Sequence, residues 1–303
     1  MFGFVNRADL VQPVCQFVVH LVVYSSLYLS ITGAAMVYIS CFLQGLPFDP
    51  VAAVVLMLIV FAVYNLNRKT DEDEDIINNI ERYTFTKKYG HILSFSAVSA
   101  YVIALCLSTL QGFDSLLLTA APLVAGVVYS VPLFPARFGF QRLKEVPVMK
   151  SLTVAFSWTV PTVFLPICHT DLSMSTATGI VGTFFFFQVF SNTVVFDLRD
   201  VEGDAASGVR TIATILGVRR TLLLLTGMNI GIGAALTVVS GTLLGFGPAL
   251  LLAAGTVYAQ GFLLGFQWFR EEKLFLELLT DGEFILLAVA LYLLTLAVPY
   301  PPI

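Results

Sequence analysis

The stretch that decides the fold runs from residue 50 to residue 75 and reads PVAAVVLMLIVFAVYNLN, followed by RKTDEDED. The first 18 residues carry no charge, whereas five of the next eight are acidic. A helix that crosses the hydrocarbon core of a membrane needs roughly 20 apolar residues, so the first part is long enough to span it. The abrupt change to dense charge marks the point where such a helix would leave the membrane.

The composition of the whole chain agrees with this interpretation. Its 303 residues include only 16 basic and 20 acidic ones, 57% are hydrophobic, and the mean hydropathy is +0.87. Soluble proteins are about a quarter charged, so a soluble enzyme and a disordered chain are excluded. Four cysteines are too few for a disulfide scaffold. The net charge of -4 gives no basic surface, so no nucleic-acid partner is expected.

Charge-free runs define the predicted spans. They cover residues 10–48, 50–67, 89–113, 115–136, 151–170, 172–196, 221–269 and 284–303. The run 221–269 is too long for one helix, and we divide it at Gly245, Gly247 and Pro248. The run 10–48 is taken as one span, either a long tilted helix with an interfacial start or, alternatively, a hairpin. The sequence therefore predicts an all-α membrane protein, a bundle of nine transmembrane helices in one domain over residues 1–303.

Basic residues indicate the orientation, because Lys and Arg concentrate on the cytoplasmic side of membrane proteins. With nine spans, all 16 basic residues fall at the N-terminus, from Arg7, and in the even-numbered loops. The other side keeps only Asp49, Asp114 and Asp171. We therefore expect an integral, multi-pass protein with its N-terminus and active site on the cytoplasmic side.

Two acidic segments follow directly on apolar spans. The first acidic segment contains Asn67, Asp71 and Asp75, and the second contains Asp197, Asp200 and Asp204. If the preceding helices continue, the spacing within each segment places its three side chains on one face. An offset of 129 residues separates Asp71 from Asp200 and Asp75 from Asp204. This hints at a pseudo-repeat with halves around 50–110 and 172–245.

Carboxylates in such density require cations. Like charges one helical turn apart repel each other, and oxygen ligands without His or Cys suit Mg²⁺ rather than zinc or copper. Two facing acidic segments, each with a metal ion, would hold a diphosphate between them. A third acidic stretch lacks this arrangement and is interpreted as a solvated face: Glu271, Glu272, Glu277, Asp281 and Glu283.

These residues carry a resemblance to a known family. Asn67-x-x-x-Asp71-x-x-x-Asp75 resembles the first aspartate motif of the UbiA superfamily of intramembrane prenyltransferases. Asp197-x-x-Asp200-x-x-x-Asp204, followed by Gly-Val-Arg-Thr at 208–211, resembles the second. The nine-span plan is also similar, so the resemblance covers essentially the whole chain. Arg68 stands where many members carry a further Asp, which affects the expected acceptor class more than metal binding.

The resemblance implies Mg²⁺-dependent transfer of a prenyl group from a polyprenyl diphosphate, within the lipid phase, with release of diphosphate. It implies two Mg²⁺ ions held by Asn67, Asp71, Asp75, Asp200 and Asp204, of which the four aspartates are the catalytic residues. Further candidates for substrate binding, together with Asn67, are Tyr129, Arg137, Lys144, Lys150, Asp197 and Arg210.

The sequence leaves the acceptor open. A hydrophobic or aromatic acceptor, such as a quinone precursor, is expected from the resemblance, and a glycerol phosphate ether-lipid precursor is the alternative. A membrane transporter with an acidic entry site is a hypothesis from another class. It is disfavoured because transporters place ionisable residues near the middle of the bilayer, and the predicted spans contain none.

Overall fold

The computed structural model describes residues 18–69, 72–138, 140–170, 172–206 and 208–297. Arg7, Asp71, Asp171 and the outer parts of the first and last predicted spans lie outside the described residues. The described chain forms nine long helices and no strand, which confirms the all-α class. They are α1 (Leu27–Gln44), α2 (Pro50–Asn67), α3 (Ile80–Gln111), α4 (Phe113–Ser130), α5 (Met149–Cys168), α6 (Thr176–Arg199), α7 (Val218–Leu243), α8 (Phe246–Phe269) and α9 (Lys273–Ala297).

Eight of these helices, α1 to α8, are long and apolar enough to cross a membrane. These eight helices confirm the prediction of an integral, multi-pass membrane protein. Helix α9 is not one of the eight, and its first half carries Lys273, Glu277, Asp281 and Glu283. The count of nine spans therefore stays a prediction.

Several helix limits follow directly from local sequence. Helix α2 covers the predicted run 50–67, because Asp49 accepts a hydrogen bond from the backbone N–H of Ala52 and Pro50 occupies the first turn. The long run 221–269 divides at Gly245, whose φ of 98° suits glycine. Before α1, residues 18–24 are helical and are separated from it by a turn at Ser25 and Ser26.

Two helices begin well before the predicted spans, so those limits were wrong. Helix α3 starts at Ile80 rather than 89, and α9 starts at Lys273 rather than 284. Both extensions contain charged side chains that are paired inside the protein: Arg82 of α3 contacts Glu277 of α9, at 3.3 Å. A charge-free run marks only the part of a helix that can face lipid.

The long helices form a closed ring. Each packs against the next one along the chain, and α9 closes the ring by packing on α1. Helix α6 also contacts α1, α8 and α9, so it lies towards the middle of the bundle. Its buried residues include Phe184, Phe185 and Val194.

The connecting loops gather at two opposite ends of the bundle. At one end, the ring of His169 lies between Asp49, 2.6 Å from Nδ1 to Oδ2, and Ser115, 2.8 Å from Nε2 to Oγ. These residues belong to the connection before α2, the start of α4 and the end of α5. Ser115 is buried, so the three side chains form an internal clamp rather than an open site. The acidic segments lie at the other end.

Candidate active site

The first acidic segment does not continue α2, contrary to the sequence prediction. Helix α2 ends at Asn67, and a new short helix covers Glu72–Asn78. The shared face of Asn67 and Asp75 therefore does not result from one continuous helix. Asp75 is nevertheless buried, with 6% of its surface exposed, and Asp71 lies outside the described residues.

The second acidic segment keeps its helical register. Helix α6 ends at Arg199, and a short helix covers Val201–Ala206. Across the junction, the N–H of Asp200 donates to Phe196 O at 2.9 Å, and the N–H of Asp204 donates to Asp200 O at 3.0 Å. The turn-by-turn spacing of the three aspartates is preserved, and all three line one cavity.

The two acidic segments meet. Their short helices, Glu72–Asn78 and Val201–Ala206, pack against each other. Gly203 permits this approach, since a Cβ at that position would overlap the side chain of Asn78. The pairing brings residues far apart in sequence to the walls of one cavity.

That cavity has a volume of about 250 Å³ and lies between the acidic segments and helices α1, α6 and α9. An adjoining lobe of about 220 Å³ is lined by Asn67 and by small or polar side chains of α4 and α5. Tyr64 and Trp158 line both spaces, and the indole N–H of Trp158 donates to the Tyr64 hydroxyl at 3.1 Å. The combined space offers charged walls beside apolar and aromatic ones.

Lys150 neutralises part of the second acidic segment. Its ammonium lies 3.0 Å from Asp197 and 2.9 Å from Asp204. Burial, together with the nearby charge of Asp197, raises the pKa of Asp204 to about 6, although Lys150 opposes that shift. Ser151 donates a further hydrogen bond to Asp197 at 2.8 Å.

Two arginines pair with Asp75 and Asp200. Arg82 lies 2.5 Å from Asp75, and Arg199 lies 2.7 Å from Asp200. Both arginines also contact Glu277 of α9, so the network joins both acidic segments. Burial raises the pKa of Asp200, but the charge and hydrogen bonds of Arg199 outweigh it and lower the pKa overall.

The structure separates the predicted substrate-binding residues into two groups. Asn67, Tyr129, Lys150 and Asp197 line the cavity or its adjoining lobe.

Arg137, Lys144 and Arg210 do not line it. Arg137 is exposed and lies over the ring of Phe138, 5.2 Å from its centroid. Arg210 is exposed in the loop after the second segment, and Lys144 is fully buried in the short 3₁₀ helix Leu143–Glu145. Basic residues that follow a span are first of all indicators of membrane orientation. A positive charge at such a position therefore does not show that the residue belongs to the site.

Helix α9 supplies residues that the sequence prediction assigned wrongly. Glu271 and Glu272 are exposed, but Glu277 and Glu283 are buried and Asp281 is half-buried. Glu277 and Asp281 line the cavity, while Glu283 accepts hydrogen bonds from the amides of Gln188 and Asn192. This part of the stretch is an internal wall rather than a solvated face. Glu277 and Asp281 are four residues apart and so share one face of the helix. This spacing was the signal in the sequence that could have placed both of them at the cavity.

The oxygen-rich site suits a hard cation that is shared with a phosphate-bearing ligand. Within the described part of the chain, no three His, Cys, Asp or Glu side chains are close enough together to hold a metal ion by themselves. No described His or Cys lines the cavity. Mg²⁺ matches such a site, because it is usually held by one or two carboxylates plus phosphate oxygens of the substrate.

Several solved structures have a similar fold. A UbiA homologue from Aeropyrum pernix K1, in its apo form, matches with a TM-score of 0.67 and 15% identity, covering 88% of this chain and 98% of its own. A UbiA homologue from Archaeoglobus fulgidus bound to DMAPP and Mg²⁺ matches with a TM-score of 0.59 and 15% identity, covering 87% and 95%. A structure of digeranylgeranylglyceryl phosphate synthase matches with a TM-score of 0.54 and 14% identity, covering 87% and 97%.

At these identities the structural likeness establishes the fold. No curated protein sequence matches the chain significantly. The model of the UbiA prenyltransferase family, however, matches residues 29–275, which include both acidic segments and all but the end of the bundle. The chain therefore belongs to the UbiA prenyltransferase family.

Proposed function

We propose that the protein transfers a prenyl group from a prenyl diphosphate to a lipid-phase acceptor in a Mg²⁺-dependent reaction. The observation that carries the proposal is the convergence of Asp75, from the first acidic segment, with Asp200 and Asp204, from the second, on one cavity. An A. fulgidus homologue bound to DMAPP and Mg²⁺ supports the choice of ligand and metal.

Asn67, Asp75, Asp200 and Asp204, together with Asp71, are the residues that we propose to hold two Mg²⁺ ions. When bound, Mg²⁺ supplies positive charge that neutralises the departing diphosphate. Arg68, Arg82, Lys150 and Arg199 also line the cavity and provide further positive charge near the diphosphate.

The reaction requires the bond between C1 of the prenyl group and the diphosphate oxygen to break, with its electron pair leaving on the diphosphate. A nucleophilic atom of the acceptor then bonds to C1, and the acceptor releases a proton. The aromatic faces of Tyr64, Trp158 and Phe196 line the cavity beside the charged walls. Each aromatic face can stabilise an allylic cation by about 0.5–2 kcal/mol.

For the acceptor, we propose an aromatic molecule such as a quinone precursor. Tyr64 and Trp158 line both spaces of the site and offer flat surfaces for an aromatic ring. Transfer to a glycerol phosphate ether-lipid precursor is the second candidate, supported by the fold shared with digeranylgeranylglyceryl phosphate synthase.

The transporter hypothesis is not retained, because the family is one of prenyltransferases. The long helix α9 nevertheless carries buried acidic residues.

The test is prenyl transfer by purified protein in lipid nanodiscs. Labelled prenyl diphosphates of several chain lengths are incubated with a panel of aromatic and glyceryl acceptors, with Mg²⁺ or with EDTA. We expect a prenylated product only with Mg²⁺, and none from Asp75→Ala or Asp204→Ala. Equal product formation in EDTA would refute the proposal.

A further inference from the structure

One carboxylate in the cavity differs from the others. Six acidic side chains line it, and five of them lie within ion-pair distance of a cation: Asp75, Asp197, Asp200, Asp204 and Glu277. The sixth, Asp281, makes no side-chain hydrogen bond and no ion pair with any described residue. Asp281 is half-buried and lines the cavity, where no described residue pairs with its carboxylate.

The position of Asp281 is fixed by two other helices. The hydroxyl of Thr32 in α1 donates to the backbone carbonyl of Asp281 at 2.8 Å. The amide of Asn192 in α6 donates to the carbonyl of the preceding residue, Thr280, at 3.2 Å. At the following residue, Gly282, a Cβ would overlap the hydroxyl of Tyr28, so the absence of a side chain lets α9 approach α1. Asp281 is therefore held at the junction of α1, α6 and α9.

The chemistry of this position limits what can occupy it. Burial and the nearby charge of Glu277 raise the pKa of Asp281 to about 8, so its carboxylate form is populated above that pH. An ionised carboxylate only accepts hydrogen bonds, so it requires a donor once water is displaced. A prenyl tail has no donor, and a diphosphate would be repelled. The part of the cavity beside Asp281 therefore suits the polar head of the acceptor better than either part of the prenyl diphosphate.

The net charge of the cavity further restricts which polar head groups the acceptor can carry. Four cationic and six acidic side chains line it, which gives a formal charge of -2. Three of these cations, Arg82, Lys150 and Arg199, are within ion-pair distance of a carboxylate. Two Mg²⁺ ions and a prenyl diphosphate would nearly cancel each other, leaving no surplus positive charge for an anionic acceptor. Placing a like charge beside Asp281 would cost free energy.

We propose that Asp281 selects an uncharged acceptor, a phenol or an alcohol, by accepting a hydrogen bond from its hydroxyl group, and that it disfavours acceptors carrying a carboxylate or phosphate. This inference rests on the proposed prenyl transfer and narrows its acceptor class. It disfavours the glycerol phosphate alternative and, among quinone precursors, the carboxylated ones.

The test compares matched acceptors with tritiated geranyl diphosphate and Mg²⁺ at a pH above the raised pKa of Asp281, about 8, so that its carboxylate is ionised. One pair is 1,4-dihydroxynaphthalene and 1,4-dihydroxy-2-naphthoate, and the other is a glycerol monoether and its phosphate. For the wild type, we expect kcat/KM to favour the uncharged member by at least about tenfold, because like-charge juxtaposition costs several kcal/mol. In Asp281→Asn this preference should shrink, mainly through a lower KM for the charged member, because the like charge is removed while the amide oxygen can still accept a hydrogen bond. Glu202→Gln, an exposed acid outside the cavity, should leave the preference unchanged.

Binding of geranyl diphosphate, measured in the same preparations, separates two kinds of failure. If the wild type shows no Mg²⁺-dependent binding, the proposed function fails and this inference with it. If binding is present, three results overturn the role of Asp281 alone. They are a wild-type preference for the charged acceptors, an unchanged preference in a folded Asp281→Asn protein, and the absence of any prenylated phenol or alcohol. A wild-type preference for the charged acceptors would overturn the role of Asp281 even if the variant does not fold.

Discussion

Gly203 of the second acidic segment lies directly against the side chain of Asn78, at the end of the first short helix. A Cβ at position 203 would overlap the end of the Asn78 side chain, so any residue larger than glycine requires that side chain to move. Asp75 and Asp204 lie close to this contact along their own helices and both line the cavity. The geometry of the site therefore depends on a residue that carries no chemistry itself.

Gly203→Val should separate the two acidic segments. The added side chain would displace Asn78, and small shifts of groups that position a substrate reduce rates strongly. We expect prenyl transfer to fall by about tenfold or more, with the protein still inserted in membranes. The matched control is Gly179→Val in α6, where nothing lies near the new Cβ. Equal activity of the two variants would show that this contact does not position the site.

Lys150 should stabilise the protein most when Mg²⁺ is absent. Lys150→Met leaves Asp197 and Asp204 without their shared cation, and breaking a buried pair costs roughly 3–5 kcal/mol. In EDTA we expect a clearly lower unfolding temperature than for the wild type. Mg²⁺ should recover more of this loss in Lys150→Met than it adds to the wild type, because the metal replaces the missing charge.

The control for this prediction is Lys150→Arg, which keeps the charge. Thermal unfolding in nanodiscs, with EDTA or with Mg²⁺, is the measurement. If the variant were equally destabilised with and without Mg²⁺, the carboxylates beside Lys150 would not be available to the metal.

The clamp at the opposite end should make stability depend on pH. Partial burial raises the pKa of Asp49, but hydrogen bonds from His169 and from the Ala52 N–H outweigh it and lower the pKa. A lowered pKa means that the stabilisation is present at neutral pH and is lost as the pH falls through the folded-state pKa. Asp49→Asn removes the charge while keeping a side chain that can cap α2.

We therefore expect Asp49→Asn to be less stable than the wild type by about 1.5–3 kcal/mol at pH 7, the usual contribution of hydrogen bonds to a charged group. The difference should become small near pH 3. Denaturant unfolding at both pH values checks this expectation. A difference that persists or grows at pH 3 would show that the carboxylate charge is not what stabilises the clamp.

Carboxylates from the two acidic segments should act as one unit. Asp75→Ala and Asp204→Ala should each abolish measurable transfer, and the double variant should be little worse than either, because residues that act as a unit are not additive. Glu202→Ala, an exposed acid beside Asp204, should keep most activity. If Glu202→Ala were as inactive as Asp204→Ala, the segment would act as a diffuse negative patch.

The sequence was sufficient to predict the helices that face lipid, because lipid exposure leaves a direct mark on composition. Helix α2 and the division at Gly245 are examples. The sequence was not sufficient for helix α9, where Glu277, Asp281 and Glu283 were predicted to form a solvated face. Burial of such residues depends on partners such as Arg199 and Asn192, which lie far away in sequence.

The same limit applies to the site. The spacing of Asp197, Asp200 and Asp204 indicated their common face, because hydrogen bonds carry the helical register through Asp200. For Asn67 and Asp75 the premise of one continuous helix was wrong, since α2 ends at Asn67 and a separate helix begins at Glu72, although both residues line the same lobe. Arg82 and Arg199 were not singled out, because their role follows from ion pairs that only the folded chain creates.

The orientation of the site in the membrane stays a prediction from the basic residues. A cysteine introduced beside Asp49 or Asp114 should react with an impermeant reagent added outside intact cells, whereas one beside Glu202 should not. Labelling beside Glu202 from outside would reverse the assignment.

The central claim is that both acidic segments hold one prenyl diphosphate through Mg²⁺. The most direct measurement is calorimetric binding of a non-hydrolysable geranyl thiolodiphosphate to the purified protein, with Mg²⁺ and with EDTA. We predict one binding site per chain with Mg²⁺, no binding in EDTA, and loss of binding in both Asp75→Ala and Asp204→Ala, with Glu202→Ala unaffected. Binding that persists in EDTA, or that survives the loss of either aspartate, would contradict the account.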